Sequence, residues 1–365
     1  MRASCRSTAP PRAADVLDLL KLLTHLAFAG TIFLCSVALT YLMTRFVRVM
    51  DMPNPRSSHS RPVPKSGGIA FVATFVIGSV IIYFAAEVAR IDDRYFWGYV
   101  ISAVLLAFVS FIDDVTQKTF LAKIFTQVLC VGVVLASGVI ITRLAIPYWG
   151  EVSLGGLGYV LTFLWILGLT NAYNFMDGLD GLAAGVAVIA AAFLCAIALQ
   201  QKSVFVYMSS YVLLAGAGGF LLFNFPPARI FMGDVGSAFL GFTFATLAVI
   251  GANLDLGRLS FYIVPMLLFH FIFDTAFTFS RRLLRGEKVY LPHRTHLYQL
   301  LNRLGYSHRV VSFFYYAVTV AQGFAAFVSI GLPAERRLLV FIPFLVFNIV
   351  YARWVLGRAK AMRLI

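Results

Sequence analysis

Long apolar stretches separated by short polar segments run along the chain from residue 22 to residue 357. A bilayer core about 30 Å thick is crossed by about 20 apolar residues in a helix, and windows of that length recur throughout. They predict eleven transmembrane helices, at 22–43, 68–88, 95–112, 121–142, 157–174, 181–199, 203–224, 236–254, 259–280, 310–331 and 338–357. The predicted fold is an all-α polytopic membrane protein.

The domain organisation predicted from this pattern is simple. Residues 1–20 form an N-terminal tail, and residues 21–365 form a single integral membrane domain without a linker or an internal repeat. The first apolar run continues to about Met43 without a clear cleavage site, so we expect an uncleaved span rather than a signal peptide. One polar interruption, at 143–157, contains Pro147 and three glycines and favours a small β-hairpin.

Basic residues set the predicted orientation, because Lys and Arg concentrate in cytoplasmic loops. The two most basic interruptions, at 44–67 and 281–309, should therefore face the cytoplasm. With eleven spans, the N-terminus then lies outside and the C-terminus inside. All the long polar segments fall on the cytoplasmic side and form the predicted active-site cleft there: 44–67, 113–120, 174–181, 224–236 and 281–309.

Composition supports the membrane assignment and adds a preference for anions. The chain is 60% hydrophobic and 13% charged, and 30 Lys and Arg outnumber 16 Asp and Glu. This excess suits membrane lipids and phosphate-bearing substrates. Nucleic acid is not expected as a partner, because the basic residues lie between apolar segments and no aromatic-basic reader module accompanies them.

Two adjacent carboxylates, Asp113 and Asp114, end the third predicted span in the run FIDDVTQ. Charged groups within a bilayer cost roughly 2.5–3.5 kcal/mol on insertion scales, so they usually mark a functional site or a pathway. The competing interpretation is a helix end that dips into water.

The fifth span runs into NAYNFMDGLDGLAAG, which places Asn174, Asp177 and Asp180 among glycines. Asp177 and Asp180 are three residues apart, so in a helix they share one face and can approach one Mg²⁺ or one diphosphate together. A glycine-rich turn, with Asn and Asp as turn formers, is the structural alternative.

A further polar segment, FNFPPARIFMGDVGSAFLG, joins the seventh and eighth spans. Pro226 and Pro227 end a helix after Asn224, and Asp234 opens the next one. A carboxylate and free backbone N–H groups then meet at a helix N-terminus, which attracts phosphate or, through the carboxylate, Mg²⁺. An Asp that only caps the helix explains the same sequence equally well.

The loop at 281–309 concentrates side chains that can neutralise phosphates, among them His293, Arg294, His296 and Arg303. Topogenic charge on a surface helix is the alternative. Before this loop, His270 and Asp274 are four residues apart in the ninth span and could form a hydrogen-bonded pair, with a functional or a structural role.

The segment DMPNPRSSHSRPVPKSGG, between the first two spans, is too rich in Pro and Ser to be helical. It is expected to form a strap that is ordered either in the protein or by substrate. Its candidate phosphate contacts are His59, Arg61 and Lys65.

Five segments in this order resemble the polyprenyl-phosphate N-acetylhexosamine-1-phosphate transferase family: the strap ending at Gly68, the Asp pair at 113–114, NFMDGLDGLA at 174–183, FNFPPARIFMGDVGS at 223–237 and the His loop at 293–308. The resemblance implies ten or eleven helices in a bacterial inner membrane. It also implies transfer of an N-acetylhexosamine 1-phosphate from a UDP-N-acetyl amino sugar to undecaprenyl or another polyprenyl phosphate, with release of UMP.

The resemblance also implies roles for individual residues. Asp234, with Asp177, matches the position of the Mg²⁺ ligands, where Mn²⁺ is a possible substitute. Asp113 and Asp114 match the positions assigned to acceptor activation, where His296 is expected to assist catalysis. Substrate contacts are implied for Arg61, Asn174, Asp177, Asp180, Asn224, Phe231, His293, Arg294 and Arg303.

Two departures from the family pattern bear on the donor sugar. Gln117 stands where many relatives carry a third acid, and the loop reads HRTHLYQ where relatives often have adjacent histidines. This variant resembles the branch that initiates O-antigen or other cell-surface polysaccharides. A homodimer is left open. The main rival function is a proton-coupled secondary transporter, which would place polar residues near the midplane of several spans.

Overall fold

The computed structural model describes residues 13–47, 49–53, 61–86, 89–116, 120–291 and 293–365, without the side chains of 13–22 and 120. His59 and Gln117 lie outside these residues. The helices are α1 (Ala13–Phe46), α2 (Gly68–Ala85), α3 (Asp93–Thr116), α4 (Phe120–Ala136), α5 (Leu157–Phe175), α6 (Leu182–Gln200), α7 (Val204–Asn224), α8 (Gly233–Asn253), α9 (Ile263–Leu267), α10 (Phe269–Leu284), α11 (Leu297–Arg303), α12 (His308–Ser329) and α13 (Phe341–Ala361).

Helix overlaps every one of the eleven apolar windows, which confirms an all-α, multi-pass membrane protein. The ninth window is broken, because α9 ends at Leu267 and α10 begins at Phe269. In the described part of the chain, eight helices are long and apolar enough to cross a membrane. The count of eleven spans therefore stays a prediction.

Helix α8 forms the centre of the bundle. Every residue from Val235 to Gly251 is buried, and the most extensive contacts of the helix are with α5, α3 and α2. Lipid tails give apolar helices no hydrophobic reason to associate, so close packing through small residues stabilises such contacts. At Gly241 a Cβ atom would lie 2.6 Å from the carbonyl oxygen of Leu169, which shows that α8 and α5 touch backbone to backbone.

The described residues also form two short antiparallel pairs of strands. The predicted hairpin is confirmed, with β3 (Arg143–Ile146) paired to β4 (Gly150–Ser153). The other, β1 (Met50–Asp51) with β2 (Val63–Pro64), lies in the strap between α1 and α2. The described ends of the strap are therefore held together by backbone pairing.

The approach of α2 to α8 gives a test of this packing. A Cβ atom on Gly68 would lie 2.5 Å from Gly236 Cα and 2.7 Å from the carbonyl oxygen of Met232, and backbone atoms cannot move aside as a flexible side chain can. Gly68→Ala should therefore destabilise the protein by about 1–3 kcal/mol, measured as a lower thermal unfolding midpoint in detergent. Gly132→Ala is the control, because Gly132 lies exposed on α4 with open space around its Cβ position. Equal midpoints for the two variants would contradict the backbone contact.

Candidate active site

The strap pairs with the segment that leads into α8. The Phe231 N–H donates to the carbonyl of Pro64 (2.8 Å), and the N–H groups of Gly67 and Gly68 donate to the carbonyls of Phe231 (2.9 Å) and Met232 (3.0 Å). Irregular backbone is tolerated at membrane depth only where it is paired inside the protein. These bonds therefore fix the C-terminal end of the strap, residues 64–68, against the start of α8.

Asp114, at the end of α3, joins these elements. Its buried carboxylate accepts hydrogen bonds from the backbone N–H of Asp234 (3.2 Å) and from the Ser66 hydroxyl (3.1 Å), and it lies 3.6 Å from Lys65 Nζ. A weaker contact reaches the Val235 N–H (3.5 Å). A carboxylate at a helix N-terminus compensates unpaired N–H groups and the positive end of the helix dipole. The N–H groups at the start of α8, a candidate phosphate site in the sequence, thus bind Asp114 instead.

Asp113, Asp234 and Asn174 form the polar centre of the site. Lys123 Nζ lies 2.7 Å from Asp113 Oδ2 and also forms an ion pair with Asp234. Asn174 donates from Nδ2 to Asp234 Oδ1 (3.0 Å) and to the Ser237 hydroxyl (2.8 Å). The second oxygen of Asp113, Oδ1, is buried without a hydrogen-bond partner in the described structure. An unsatisfied buried acceptor is costly, so Oδ1 is a natural contact for a ligand.

Sequence reasoning missed Lys123. The residue lies one turn into α4, in the apolar run FLAKIFTQ. A cation in such a run carries the same cost argument that singled out Asp113 and Asp114. The signal was therefore present, but it came from a lone residue rather than a motif.

Asp177 lies beyond the end of α5 and is partly buried. Burial, followed by the negative charges of Asp234, Asp114 and Asp180, raises the pKa of Asp177 well above its usual range. A cation bound among these groups would relieve the repulsion and favour the ionised carboxylate.

Asp180 and Asn224 join two turns instead of lining the polar centre. Asp180 Oδ2 accepts from the Ala228 N–H (3.0 Å), and its Oδ1 lies 3.1 Å from His308 Nδ1. Asn224 accepts from the Gly181 N–H (3.1 Å) and donates to the carbonyl of Ile230 (2.9 Å). In this structure the two side chains hold the DGLDG turn against the loop between α7 and α8.

In the His loop, too, some of the predicted residues line the site and others bind backbone groups elsewhere. His293 and His296 face the site, and the pKa of His293 falls to about 4 because burial, and then the charges of His296, Arg282 and Arg281, disfavour its protonated form. Arg303 instead donates to the carbonyls of Arg294 (3.2 Å) and Leu364 (3.0 Å). It therefore connects α11 to the C-terminal end of the chain.

The remaining predicted contacts lie at the edge of the site. Arg61 is exposed in the bend before β2, and the Phe231 backbone pairs with the strap. The expected hydrogen bond between His270 and Asp274 is absent from the described contacts, because His270 pairs with Gln322 (2.6 Å) and Asp274 with His296 (3.1 Å). A shared helical face does not make these side chains partners, since each finds a closer partner on another element.

One large cavity, of about 1140 Å³, links the polar centre to the membrane-embedded part of the bundle. Its polar end is lined by Asp113, Lys123, Asn174, Asp234, His293 and His296, and its apolar walls by Leu106, Leu164, Trp165, Leu169, Ile272 and Phe279. Leu164 and Phe279 are 58% and 50% exposed, so the apolar part opens to the outer surface of the helix bundle. The cavity can therefore hold an anionic group and a long apolar chain together.

The carboxylate and amide oxygens of the site suit a hard cation. Among the described residues, no three His, Cys, Asp or Glu side chains are arranged to hold a metal ion. Mg²⁺ commonly binds through one or two carboxylates with waters and substrate phosphates supplying the rest. Asp234 and Asp177, with the unpartnered Oδ1 of Asp113 nearby in the acidic cluster, fit that pattern. The ammonium of Lys123 lies between two of these carboxylates.

The chain is similar in sequence to a family of glycosyl transferases and to several named sugar-phosphate transferases. Residues 96–252 match glycosyl transferase family 4. The probable undecaprenyl-phosphate N-acetylglucosaminyl 1-phosphate transferase of Bacillus subtilis is 32% identical, over 76% of this chain and 78% of the relative. The decaprenyl-phosphate N-acetylglucosaminephosphotransferase of Mycobacterium tuberculosis is 30% identical, over 84% and 83%. A phospho-N-acetylmuramoyl-pentapeptide-transferase of Listeria monocytogenes matches a shorter stretch, 34% identical over 51% and 60%.

The two adjacent carboxylates should differ sharply in their effect on stability. Asp114→Ala removes the acceptor for α8 and the strap, and should cost about 2–4 kcal/mol. Asp113→Ala should cost less than about 1 kcal/mol, because Lys123 keeps Asp234 as its partner and one unsatisfied buried oxygen disappears. Thermal unfolding of both variants in detergent measures the difference, and an equal loss would contradict the distinct placement.

Proposed function

Because the chain belongs to the polyprenyl-phosphate N-acetylhexosamine-1-phosphate transferase family, we propose that it transfers N-acetylglucosamine 1-phosphate from UDP-N-acetylglucosamine to undecaprenyl phosphate and releases UMP. The observation that carries this assignment is a cavity in which a charged centre continues into an apolar groove. Such a cavity suits a reaction between a water-soluble nucleotide sugar and a lipid. Relatives whose names specify N-acetylglucosaminyl transfer support the choice of sugar.

The charged centre has to overcome repulsion between two phosphate-bearing substrates. Mg²⁺ held by Asp234 and Asp177 would supply positive charge to the donor diphosphate and the leaving UMP. Lys123 would then exchange its carboxylate partners for phosphate oxygens, and His293, Arg294 and His296 would contact the donor from the loop before α11. The same loop departs from the family pattern, which supports a role in choosing the sugar.

Asp113, rather than Asp114, is assigned to the acceptor phosphate. Asp113 lines the cavity and has an unpartnered oxygen, whereas Asp114 binds α8 and the strap. Asp113 would orient the lipid phosphate and take its remaining proton, so that a phosphate oxygen can attack the β-phosphorus of the donor. The second pKa of a phosphate monoester is about 6, so most acceptor molecules are already ionised and the base contributes modestly.

The apolar part of the cavity is proposed to hold the polyprenyl chain. Its walls on α3, α4, α5 and α10 carry Leu, Trp, Ile and Phe side chains and open towards lipid. We propose that the transferase lies in the bacterial inner membrane with its site facing the cytoplasm, because the most basic loops are expected on that side. The product would start an O-antigen or another cell-surface polysaccharide. A proton-coupled transporter does not account for membership of a transferase family.

The reaction is tested with purified protein in detergent micelles, undecaprenyl phosphate, Mg²⁺ and a panel of UDP-N-acetyl sugars. Lipid-linked product and UMP should form from UDP-N-acetylglucosamine and disappear with EDTA. Asp234→Ala should lower kcat/KM by about 100-fold or more, and Asp113→Asn by only about tenfold, below the usual range for a catalytic base. Substantial activity in correctly folded Asp234→Ala would contradict the metal assignment. A different preferred donor would contradict the choice of sugar alone.

The groove assignment has a separate test at Gly168. This residue lines the cavity, and a Cβ atom there would meet nothing within 4 Å, so Gly168→Phe should fold and fill the groove. The apparent KM for undecaprenyl phosphate should rise about tenfold, equivalent to about 1.4 kcal/mol, while the KM for the UDP-sugar stays unchanged. Gly132→Phe, at an equally open position on α4 away from the cavity, is the control. An increase confined to the donor KM would overturn the assignment.

A further inference from the structure

Asp274 is a buried carboxylate that the proposed reaction does not use. It lies in α10, is 1% exposed and is surrounded by hydrogen-bond donors. Its Oδ1 accepts from His296 Nδ1 (3.1 Å), the Leu297 N–H (3.0 Å) and the Thr278 hydroxyl (3.1 Å), and its Oδ2 from the Tyr298 N–H (3.3 Å) and the Tyr315 hydroxyl (3.3 Å). A buried charge with this many donors has its cost of burial offset.

We propose that Asp274 is a positioning residue that fixes the tautomer and the direction of the His296 ring, so that Nε2 is the nitrogen presented to the substrates. The proposal rests on the proposed function, because it assigns His296 a task in the sugar-phosphate transfer. Asp274 lies in α10 and does not line the cavity, so the proposal links His296 to a residue behind the cavity wall.

The tautomer follows from the chemistry of the pair. An ionised carboxylate can only accept hydrogen bonds, so the His296 nitrogen that faces Asp274 must carry a proton. That nitrogen is Nδ1. His296 also lines the cavity. Because Nδ1 is bound to Asp274, Nε2 is the ring nitrogen left to bind a ligand. In the neutral ring Nε2 is an acceptor, and after protonation it is a donor to a phosphate oxygen.

The direction of the ring depends on Asp274 for a second reason. His296 stacks on His293, with centroids 4.9 Å apart and planes at 29°, and on Phe175, at 6.0 Å and 28°. Stacking fixes the plane of the ring but not a half-turn about its Cβ–Cγ bond, which exchanges nitrogen and carbon positions. The hydrogen bond to Asp274 selects one of the two orientations.

Asp274 also fixes the position of the backbone that carries His296. Leu297 and Tyr298 are the first two residues of α11, and their N–H groups both point to the Asp274 carboxylate. The same group therefore anchors the start of α11 to α10 and holds the imidazole that precedes it. A shift of the loop would move backbone and ring together.

A double-mutant cycle separates positioning from plain structural support. Asp274→Asn keeps the side-chain size, but its amide can donate to Nδ1 and favour the wrong tautomer. We expect kcat to fall about 10- to 100-fold, with less than about threefold change in either KM. In a His296→Ala background, Asp274→Asn should lower kcat no further, because it acts through the missing ring. Losses that multiply in the double variant would overturn the proposal.

Tyr315→Phe is the matched control. It removes a buried hydrogen bond from Oδ2 and leaves Oδ1 with His296, so it should lower the unfolding midpoint and leave kcat within about threefold of wild type. A kcat loss in Tyr315→Phe equal to that in Asp274→Asn would show that any damage to the cluster suffices. The wild-type turnover in the same assay tests the proposed function separately.

The tautomer can be observed without a variant of Asp274. Nitrogen-15 NMR of the wild-type protein labelled at histidine reports which ring nitrogen carries the proton, and the His296→Ala spectrum identifies the signal. A protonated Nδ1 supports the proposal whether or not Asp274→Asn folds. A His296 ring with a bare Nδ1 and a protonated Nε2 would overturn it.

Discussion

The carboxylate of Asp114 at the start of α8 is the contact on which the site depends. It joins the end of α3, the strap and the first turn of the central helix by accepting from the Asp234 N–H and the Ser66 hydroxyl. Asp114 and Ser66 are buried, so their polar groups need partners inside the protein. Asp113, the neighbouring residue, gains its position in the cavity from this arrangement. Asp114 therefore holds the elements of the site together, whereas Asp113 lines the cavity with one oxygen that has no hydrogen-bond partner among the described residues.

The charges of the site are only partly paired before any substrate arrives. Lys123 lies between Asp113 and Asp234, and Lys65 lies near Asp114, whereas burial and the neighbouring carboxylates raise the pKa of Asp177. Groups paired in this way tolerate an apolar surrounding that would expel them singly. A diphosphate with its cation can replace these internal partners by stronger ones. The site is therefore prepared for a ligand that brings both negative and positive charge.

The sequence predicted the helices well, because about 20 apolar residues in a row have few alternatives in a membrane. It also brought Asp113, Asp114, Asn174 and Asp234 together correctly, since all four lie at ends of spans on the same predicted side. It could not tell which polar residues face one another. Asp180, Asn224 and Arg303 bind backbone groups of other turns, and Asp274 binds the loop before α11 instead of His270. Helical periodicity gives the face of a residue but not the neighbour across it.

The lateral opening of the groove beside Leu164 and Phe279 determines which concentration of the lipid substrate the enzyme responds to. A substrate that enters from the side arrives by diffusion in the plane of the bilayer, and never through bulk water. Its effective concentration is then a mole fraction among the surrounding lipids or detergent molecules. Adding detergent at a constant total amount of acceptor dilutes that substrate, while the nucleotide sugar in solution is unaffected. One cavity thus receives its lipid substrate by diffusion in the plane of the membrane and its nucleotide sugar by diffusion through water.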